Sequence, residues 1–454
     1  MRKPELERTF SPFCSPKWRK RRGGSNDCLG EKGSYIEKQE ECDNNEENHH
    51  HYHHRDEEED GDDDEQDVQG DGQGLAENSG GGRGMSDWKT CAVADSFVKA
   101  KIGRKHQIPS KDIAATGAFP VVDQGQEFIS GYCDEPEKLI DFDLPLIIFG
   151  DHTRCFKYVD FPFVLGADGT KILPPNKKLY DPKFYYFALL ALELPSRGYN
   201  RHFKTLKEKS LPLPPLSEQT QIAHILSTVQ RAIEAQERII QTTTELKKAL
   251  MQKLFTKGLR NEPQKQTEIG PVPESWEVVS FDKFATLQRG YDLRKQDFKD
   301  GEIPVVGATK VIGYHDTSNV KAPGVTVVRS GSSAGKPLYI ADNFWAHNVL
   351  LYVKDFHGNV PRFVYYKILA LDLTQYRQGV AVPTLNRNTF SAIELSLPSP
   401  DEQQEIADAL DAVGNRTEVA ERKKTQLQDL FRTLLHELMT AKTRVQEIEF
   451  SMQA

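Results

Sequence analysis

Cysteine is scarce. Six residues (Cys14, Cys28, Cys42, Cys91, Cys133 and Cys155) include no C-x-x-C pair. That argues against a disulfide framework or a zinc ribbon and fits a reducing cytoplasm. Long apolar runs are also missing. No stretch reaches the ~18 consecutive apolar residues of a membrane-crossing helix, and the first residues lack an apolar signal core. The expectation is a cytoplasmic protein with no membrane partner. A strong charge of one sign is absent from the body of the chain. The net charge of -8 belongs to residues 1–84, which hold 12 Lys+Arg against 22 Asp+Glu, leaving 47 against 45 for residues 85–454. A near-neutral body neither demands nor excludes nucleic acid; only a local basic patch would serve.

The 454 residues suggest about three domains at ~150 residues each, and the apolar content is unevenly spread. Residues 1–84 read as a disordered acidic and His-rich tail with too few apolar residues to offset chain entropy. His49, His50, His51, His53 and His54 read as low-complexity sequence rather than a metal site, because nothing fixes the imidazoles. Globular sequence starts abruptly at Met85, just after Gly-Gly-Gly-Arg-Gly. Gly and Arg codons are purine-rich, as a translated ribosome-binding sequence would be. Two readings stand: translation starting at Met85, or a genuine disordered arm.

What organises the rest is an internal repeat of 184 residues. LPLPPLSEQTQIAHILSTV begins at Leu211 and LSLPSPDEQQEIADALDAV at Leu395, with Pro214/Pro398, Glu218/Glu402, Gln219/Gln403, Ile222/Ile406, Leu226/Leu410 and Val229/Val413 identical. The register continues to Leu246/Leu430, Leu250/Leu434 and Leu254/Leu438. Each copy predicts a long helix, over 211–260 and 395–450, with Ser217 or Asp401 as N-cap. Apolar residues step in fours and threes: Ile222, Leu226, Val229, Ile233, Ile240, Leu250 and Leu254, then Ile406, Leu410, Val413, Ala420, Leu427, Phe431, Leu434 and Leu438. This is a coiled-coil seam with polar interruptions at Gln236, Thr243, Thr417 and Lys424. Gly414 is a candidate kink. A 35-residue helix spans ~52 Å, and two in one chain most simply pack together.

The segments before the helices match weakly. Phe119-Pro-Val-Val pairs with Ile303-Pro-Val-Val, Gly131-Tyr132 with Gly313-Tyr314, and Tyr185-Tyr186 with Tyr365-Tyr366. Short β-like runs (LPLIIFG at 144–150, GVTVVRS at 324–330) predict mixed α/β domains over 85–210 and 261–394. The fold class is therefore α+β: two mixed α/β domains separated by two long helices packed as an antiparallel coiled coil, with pseudo-two-fold internal symmetry. KGLRNEPQKQTEIGPVP (257–273) reads as the linker between the halves.

Pro-Pro-Leu-Ser-Glu-Gln-x-x-Ile-Ala before a long helix, repeated after a second domain, resembles the specificity subunit of type I restriction–modification systems. The resemblance covers about residues 85–445. IGPVPESWEVV (269–279), IPVVGATKVIGYHD (303–316), VVRSGSSAGKP (327–337) and IIFGDHTRCFKYVDFPFVLGADGTKIL (147–173) resemble stretches of the family's two target-recognition domains. The resemblance implies a non-catalytic subunit that reads a bipartite sequence in double-stranded DNA. It also implies two methylating subunits docked on the helices, with a restriction subunit as an optional further partner. No cofactor is expected on this chain; S-adenosylmethionine would be bound by the methylating partner. The acidic tail is not a family requirement.

Several strings mimic chemistry. SGSSAGKP (330–337) resembles a phosphate loop, but Ser330 stands where Gly is needed and Pro337 where Ser or Thr is needed. DPKF (181–184) resembles an amino-methyltransferase motif, but Lys183 replaces the second proline, so it reads as a helix start. Asp151-His152 has no nucleophile partner and reads as a surface turn, and His347 and Asn348 read as structural. No catalytic or metal-ligating residue is assigned.

Base edges are read by Arg, Lys, Asn or Gln, whereas phosphate contacts position the protein. The DNA-contact candidates in the first domain are Lys101, Arg104, Lys105, Arg154, Lys157, Arg197, Arg201 and Lys204. Those in the second are Arg289, Tyr291, Lys310, Arg329, Ser332, Lys336, Arg377, Asn386 and Arg387. The plain alternative for each is a solvated side chain or a tight turn. Two other classes remain: a coiled-coil adaptor for proteins alone, and a stand-alone DNA-modifying enzyme. Gly-rich basic loops argue against the first, and the lack of a complete nucleotide, metal or nucleophile motif against the second.

Overall fold

Among the described residues, six helices carry the architecture: α1 (Pro182–Leu190), α2 (Phe203–Lys207), α3 (Leu216–Lys257), α4 (Phe281–Phe284), α5 (Pro361–Leu371) and α6 (Pro400–Met439). The computed structural model describes residues 88–100, 103–166, 169–195, 201–379 and 382–445, the side chain of Arg104 excepted. The readings of the tail, the histidine cluster and Met85 lie outside these residues, as do candidates Lys101 and Arg197.

The 184-residue repeat is a repeat of structure. In the first half, strand Phe119–Val122 pairs with Gly131–Cys133, placing Pro120 opposite Tyr132. In the second, Ile303–Val306 pairs with Val311–His315, placing Pro304 opposite Tyr314. Each leading strand also takes a parallel neighbour, Val164–Gly166 or Trp345–Ala346. The β-like runs form buried central strands, Leu146–Gly150 of a three-stranded sheet and Gly324–Val328 of a four-stranded one. Each domain is closed by a pair joining its first strand to the strand before the long helix: Lys89–Ala92 with Ser210–Leu213, and Glu277–Ser280 with Glu394–Leu397. The 257–273 linker holds a hairpin of its own, Gln264–Thr267 with Gly270–Pro273.

Both long helices begin later than the repeat itself, because Leu211 and Leu395 belong to those closing strands. The N-caps also differ from the expectation. Ser217 and Asp401 already lie inside the helices. Pro215 precedes α3 without a side-chain cap, whereas Ser399 caps α6 by accepting from the Glu402 N–H at 3.4 Å. The fixed φ of proline suits a helix start, so the Pro-rich dipeptides begin each helix early. Asp181 caps α1 through the N–H groups of Lys183 and Phe184, as its sequence predicted.

Contacts between α3 and α6 run in opposite directions. Ile222, Leu226 and Ile233 share a core with Phe431, Leu435 and Leu438, while Leu254 shares one with Ile406 and Leu410. Midway, Thr417 donates to Thr243 Oγ1 at 2.9 Å, and Lys424 pairs with Glu237 at 2.9 Å. Of the polar interruptions, Thr243, Thr417 and Lys424 thus find partners on the opposite helix. Gly414 lies in an unbroken helix; a Cβ there would sit 3.1 Å from Lys247 Nζ and 3.7 Å from the Tyr366 hydroxyl. Close approach is a reason for glycine at this position.

The buried polar groups bind each domain to its helix. Gln219 and Gln403 are 0% and 1% exposed. Gln219 accepts from the Asp181 N–H at 2.8 Å and donates to the Leu179 and Pro214 carbonyls. Gln403 accepts from the Val360 N–H at 2.9 Å and donates to Asn359 Oδ1 and the Pro398 carbonyl. The preceding glutamates serve both helix ends. Glu218 takes the Trp88 indole and the guanidinium of Arg444, beyond the end of α6. Glu402 takes the Trp276 indole and the Leu259 N–H, beyond the end of α3. Of the described cysteines, Cys91 and Cys133 are free thiols.

Lys367 on α5 is buried against the Phe255 and Trp276 rings, with the Ser396 hydroxyl 3.3 Å from its Nζ. Burial lowers its ammonium pKa from 10.5 to about 8. Between these values the unfolded chain binds more protons than the folded one, so stability rises with pH across that window and is lost as pH falls toward 8. Lys367→Met should remove this contribution and stabilise the protein at pH 7 by up to about 3 kcal/mol. Urea unfolding of both proteins from pH 7 to 10.5 checks it; parallel curves would refute it.

Candidate nucleic-acid interface

In the second domain, strand ends converge on a cleft. Arg289 ends strand Thr286–Arg289, and Arg329 follows strand Gly324–Val328. A short hairpin, Arg377–Gln378 with Thr384–Leu385, docks beside them through the Leu385 N–H donating to the Arg329 carbonyl at 2.7 Å. Arg289, Arg329, Gln378, Thr384, Asn386 and Arg387 line a cleft of about 400 Å³ with Leu351 and Leu385. Its lining holds three guanidiniums, two amides and a hydroxyl, and no carboxylate. Guanidiniums and amides suit phosphate oxygens and base edges alike. Arg289, Asn386 and Arg387 are exposed and Arg329 is half-buried. Arg387 Nη1 donates to the Leu287 carbonyl at 3.1 Å, and Asn386 Oδ1 accepts from the Asn388 N–H, which fixes both side chains toward the cleft wall.

Tyr291 is 48% exposed, its hydroxyl held by Gln288 at 2.7 Å. Lys310, Ser332 and Lys336 are exposed on turns. Ser332 and Lys336 flank a tight turn stitched by the Gly335 N–H to the Val328 carbonyl at 2.7 Å. Gly335 there has φ +87°, and a Cβ would strike the Thr374 backbone at 2.7 Å, so this turn requires glycine. Arg377 is tied inward, donating to the Ala334 carbonyl at 2.6 Å.

The first-domain candidates separate more sharply. Lys105, Arg201 and Lys204 are exposed. Asp151 positions the last two: its carboxylate accepts from the His202 and Phe203 N–H groups at 2.8 and 2.7 Å and so caps α2. That role accounts for Asp151 beside His152 without any catalytic pair. Arg154 spends its guanidinium on the Leu194 carbonyl at 2.6 Å. Lys157 does not stand as a DNA contact. It is 3% exposed, its Nζ donating to the Asp123 and Glu127 carbonyls at 2.7 and 2.6 Å. Burial lowers its pKa, against the pull of Asp123. Strand Phe156–Val159 is covered on both faces, which a local sequence window did not reveal.

Sequence reasoning missed Gln378 and Thr384, which reach the cleft from a hairpin only two residues long on each strand, and Lys171 and Lys207, whose ammonium groups lie 5.8 and 5.3 Å from the Phe203 ring. Asn348 donates to Asp292 at 2.8 Å and His347 sits 3.5 Å from the same carboxylate, a structural use for both. Among the described residues no group of three His, Cys, Asp or Glu is placed to hold a metal ion, and no helix is long and apolar enough to cross a membrane.

Two matches to a family model, the type I restriction modification DNA specificity domain, cover residues 85–244 and 273–429. The chain is 25% identical over 406 residues to the type I restriction enzyme MjaVIII specificity subunit of Methanocaldococcus jannaschii, spanning 80% of this chain and 95% of that one. It is 27% identical over 323 residues to the putative MjaX specificity subunit of the same organism, spanning 62% and 73%. Among solved structures, the type I restriction-modification S subunit of M. genitalium superposes with a TM-score of 0.58 at 17% identity, covering 79% of this chain and 97% of that one, a likeness of fold. With two copies of the family's domain on the two halves of an internal repeat, the chain belongs to the type I restriction modification DNA specificity family.

Proposed function

We propose that this specificity subunit reads a bipartite site in duplex DNA, one half-site per domain, with α3 and α6 as an antiparallel coiled coil that sets the unread spacer. As a specificity subunit it selects the target and performs no catalytic step. The observation that carries the bipartite reading is the doubled unit: two domains of matching strand pairing, each tied by a buried glutamine to its own long helix. Opposed contacts from Ile222 with Phe431 to Leu254 with Ile406 support the coiled coil. A 42-residue α3 is ~63 Å long, about 18 base pairs at 3.4 Å each.

Two methylating subunits are the proposed partners on the rod. Leu246 and Leu430 occupy the same position in the two copies and are exposed at 52% and 46%, so one binding surface is presented twice. S-adenosylmethionine would be held by those partners, and a restriction subunit is a further proposed partner. The near-neutral charge of residues 85–454 implies modest grip by this chain alone, with the partners adding affinity.

Co-expression with the methylating subunit, followed by single-molecule sequencing for methylated adenine, should reveal a bipartite motif that vanishes without this chain. A stable complex with no chain-dependent motif would favour the adaptor reading. Deleting four residues from α3 removes ~6 Å of rod and should alter the spacer of the methylated sites; an unchanged spacer would sink the role given to the helices. Arg329→Ala and Arg387→Ala should each weaken binding, and a lost phosphate contact lowers the salt slope by about 0.9. Lys157→Ala should cost stability while leaving that slope unchanged. Anisotropy titrations of the assembled complex across a KCl series separate the two behaviours.

A further inference from the structure

The two halves differ at one contact between domain and rod. On α5, the Arg362 guanidinium forks onto the Asp411 carboxylate of α6: Nε lies 2.7 Å from Oδ1 and 3.0 Å from Oδ2, and Nη2 lies 2.6 Å from Oδ1. The Tyr366 hydroxyl donates to the same Oδ1 at 2.5 Å. Burial and the neighbouring carboxylate raise the Tyr366 pKa, which keeps this hydroxyl a donor. The guanidinium also stacks over three rings, 4.3 Å from the centre of Tyr339, 5.3 Å from Tyr365 and 5.2 Å from Tyr366. Lys247 of α3 lies 5.0 Å from the Tyr366 ring, in the space that Gly414 leaves. One knot therefore joins the second domain to both long helices.

The first half holds a different arrangement. Lys183 follows Pro182 at the start of α1 as Arg362 follows Pro361 at the start of α5. Its ammonium lies 3.8 Å from the centre of Tyr158 and 5.7 Å from Tyr186. Ser227 stands one repeat before Asp411, where the carboxylate would be. A lysine is a point charge on a flexible stem, whereas an arginine–carboxylate fork fixes both distance and plane. The arginine–carboxylate fork at this helix start belongs to the second half.

We propose that Arg362 and Asp411 are positioning residues that fix the angle of the second recognition domain on the helical rod, and so the spacing and helical phase of the second half-site relative to the first. This rests on the bipartite reading. Phe363, Val364 and Ile368 of α5 share one core with Leu287 and Val325 of the domain and with Ile406 and Leu410 of α6, so a tilt of α5 on α6 carries the domain with it. Adjacent base pairs differ by about 34° of twist at 10–10.5 pairs per turn. A lock that tolerates less rotation than that selects one spacer and rejects its neighbours.

The test uses the complex with the methylating subunit, on duplexes carrying its own motif with the spacer unchanged or altered by one base pair. Asp411→Asn removes the charge at constant shape, Arg362→Lys keeps the charge and loses the fork, and Asp411→Glu restores the carboxylate. The first two should cut the preference for the native spacer about tenfold, the scale of one coupled contact pair, with Asp411→Glu recovering part of it. Should Asp411→Asn fail to assemble, Arg362→Lys carries the same prediction. An unchanged preference, or a fall in methylation equal on every spacer, overturns the inference alone. A wild-type complex with no bipartite motif overturns the functional reading and this inference with it.

Discussion

A buried primary amide has two donors and an acceptor that must all be satisfied, because each one left unpaired in the core costs on the order of 1–3 kcal/mol. Gln219 and Gln403 meet that demand with backbone or side-chain groups of the neighbouring domain and of the proline-rich lead-in to their own helix. Domain and helix cannot separate without leaving the amide and its partners bare. The glutamates beside them, Glu218 and Glu402, extend the constraint to the far end of the opposite helix through Arg444 and Leu259. Two adjacent residues, used twice, thus join each domain to its long helix and each helix start to the segment after the other helix. That is the physical content of the repeated Glu-Gln motif.

From these junctions the rod follows. With each helix start fixed to the other's end, α3 and α6 lie in opposite directions, and their apolar stripes merge into the two domain cores rather than forming a separate one. Thr243 against Thr417 and Glu237 against Lys424 join the two helices midway along their length. A polar pair there favours one register over a slipped one, since slippage would strand the hydroxyls against leucine.

The domains are alike in frame and unlike in surface. Strand pairing is shared down to Pro120 with Tyr132 and Pro304 with Tyr314, yet the basic residues follow different logic. In the second domain, strand ends and a short hairpin bring three guanidiniums into one cleft. In the first, Lys157 donates to two carbonyls and Arg154 to a third, while Lys105 and, beside α2, Arg201 and Lys204 stay exposed.

The sequence by itself determined the repeat, the two long helices, the mixed domains, the β-like runs at 144–150 and 324–330 and, through the doubled motif, the family. These signals are periodic or local, and chain chemistry alone carries them. Helix starts were misjudged at Ser217 and Asp401 because each helix begins earlier, α3 at Leu216 directly after Pro215 and α6 at Pro400 behind the Ser399 cap. Only the tertiary structure decided which charges are free. Lys157 and Arg329 look alike in a sequence window, but one Nζ meets backbone carbonyls from 34 and 30 residues away, and the other side chain opens on a cleft completed by residues some 50 positions later. Exposure is set by the distant chain that folds over a residue, and no local pattern records it.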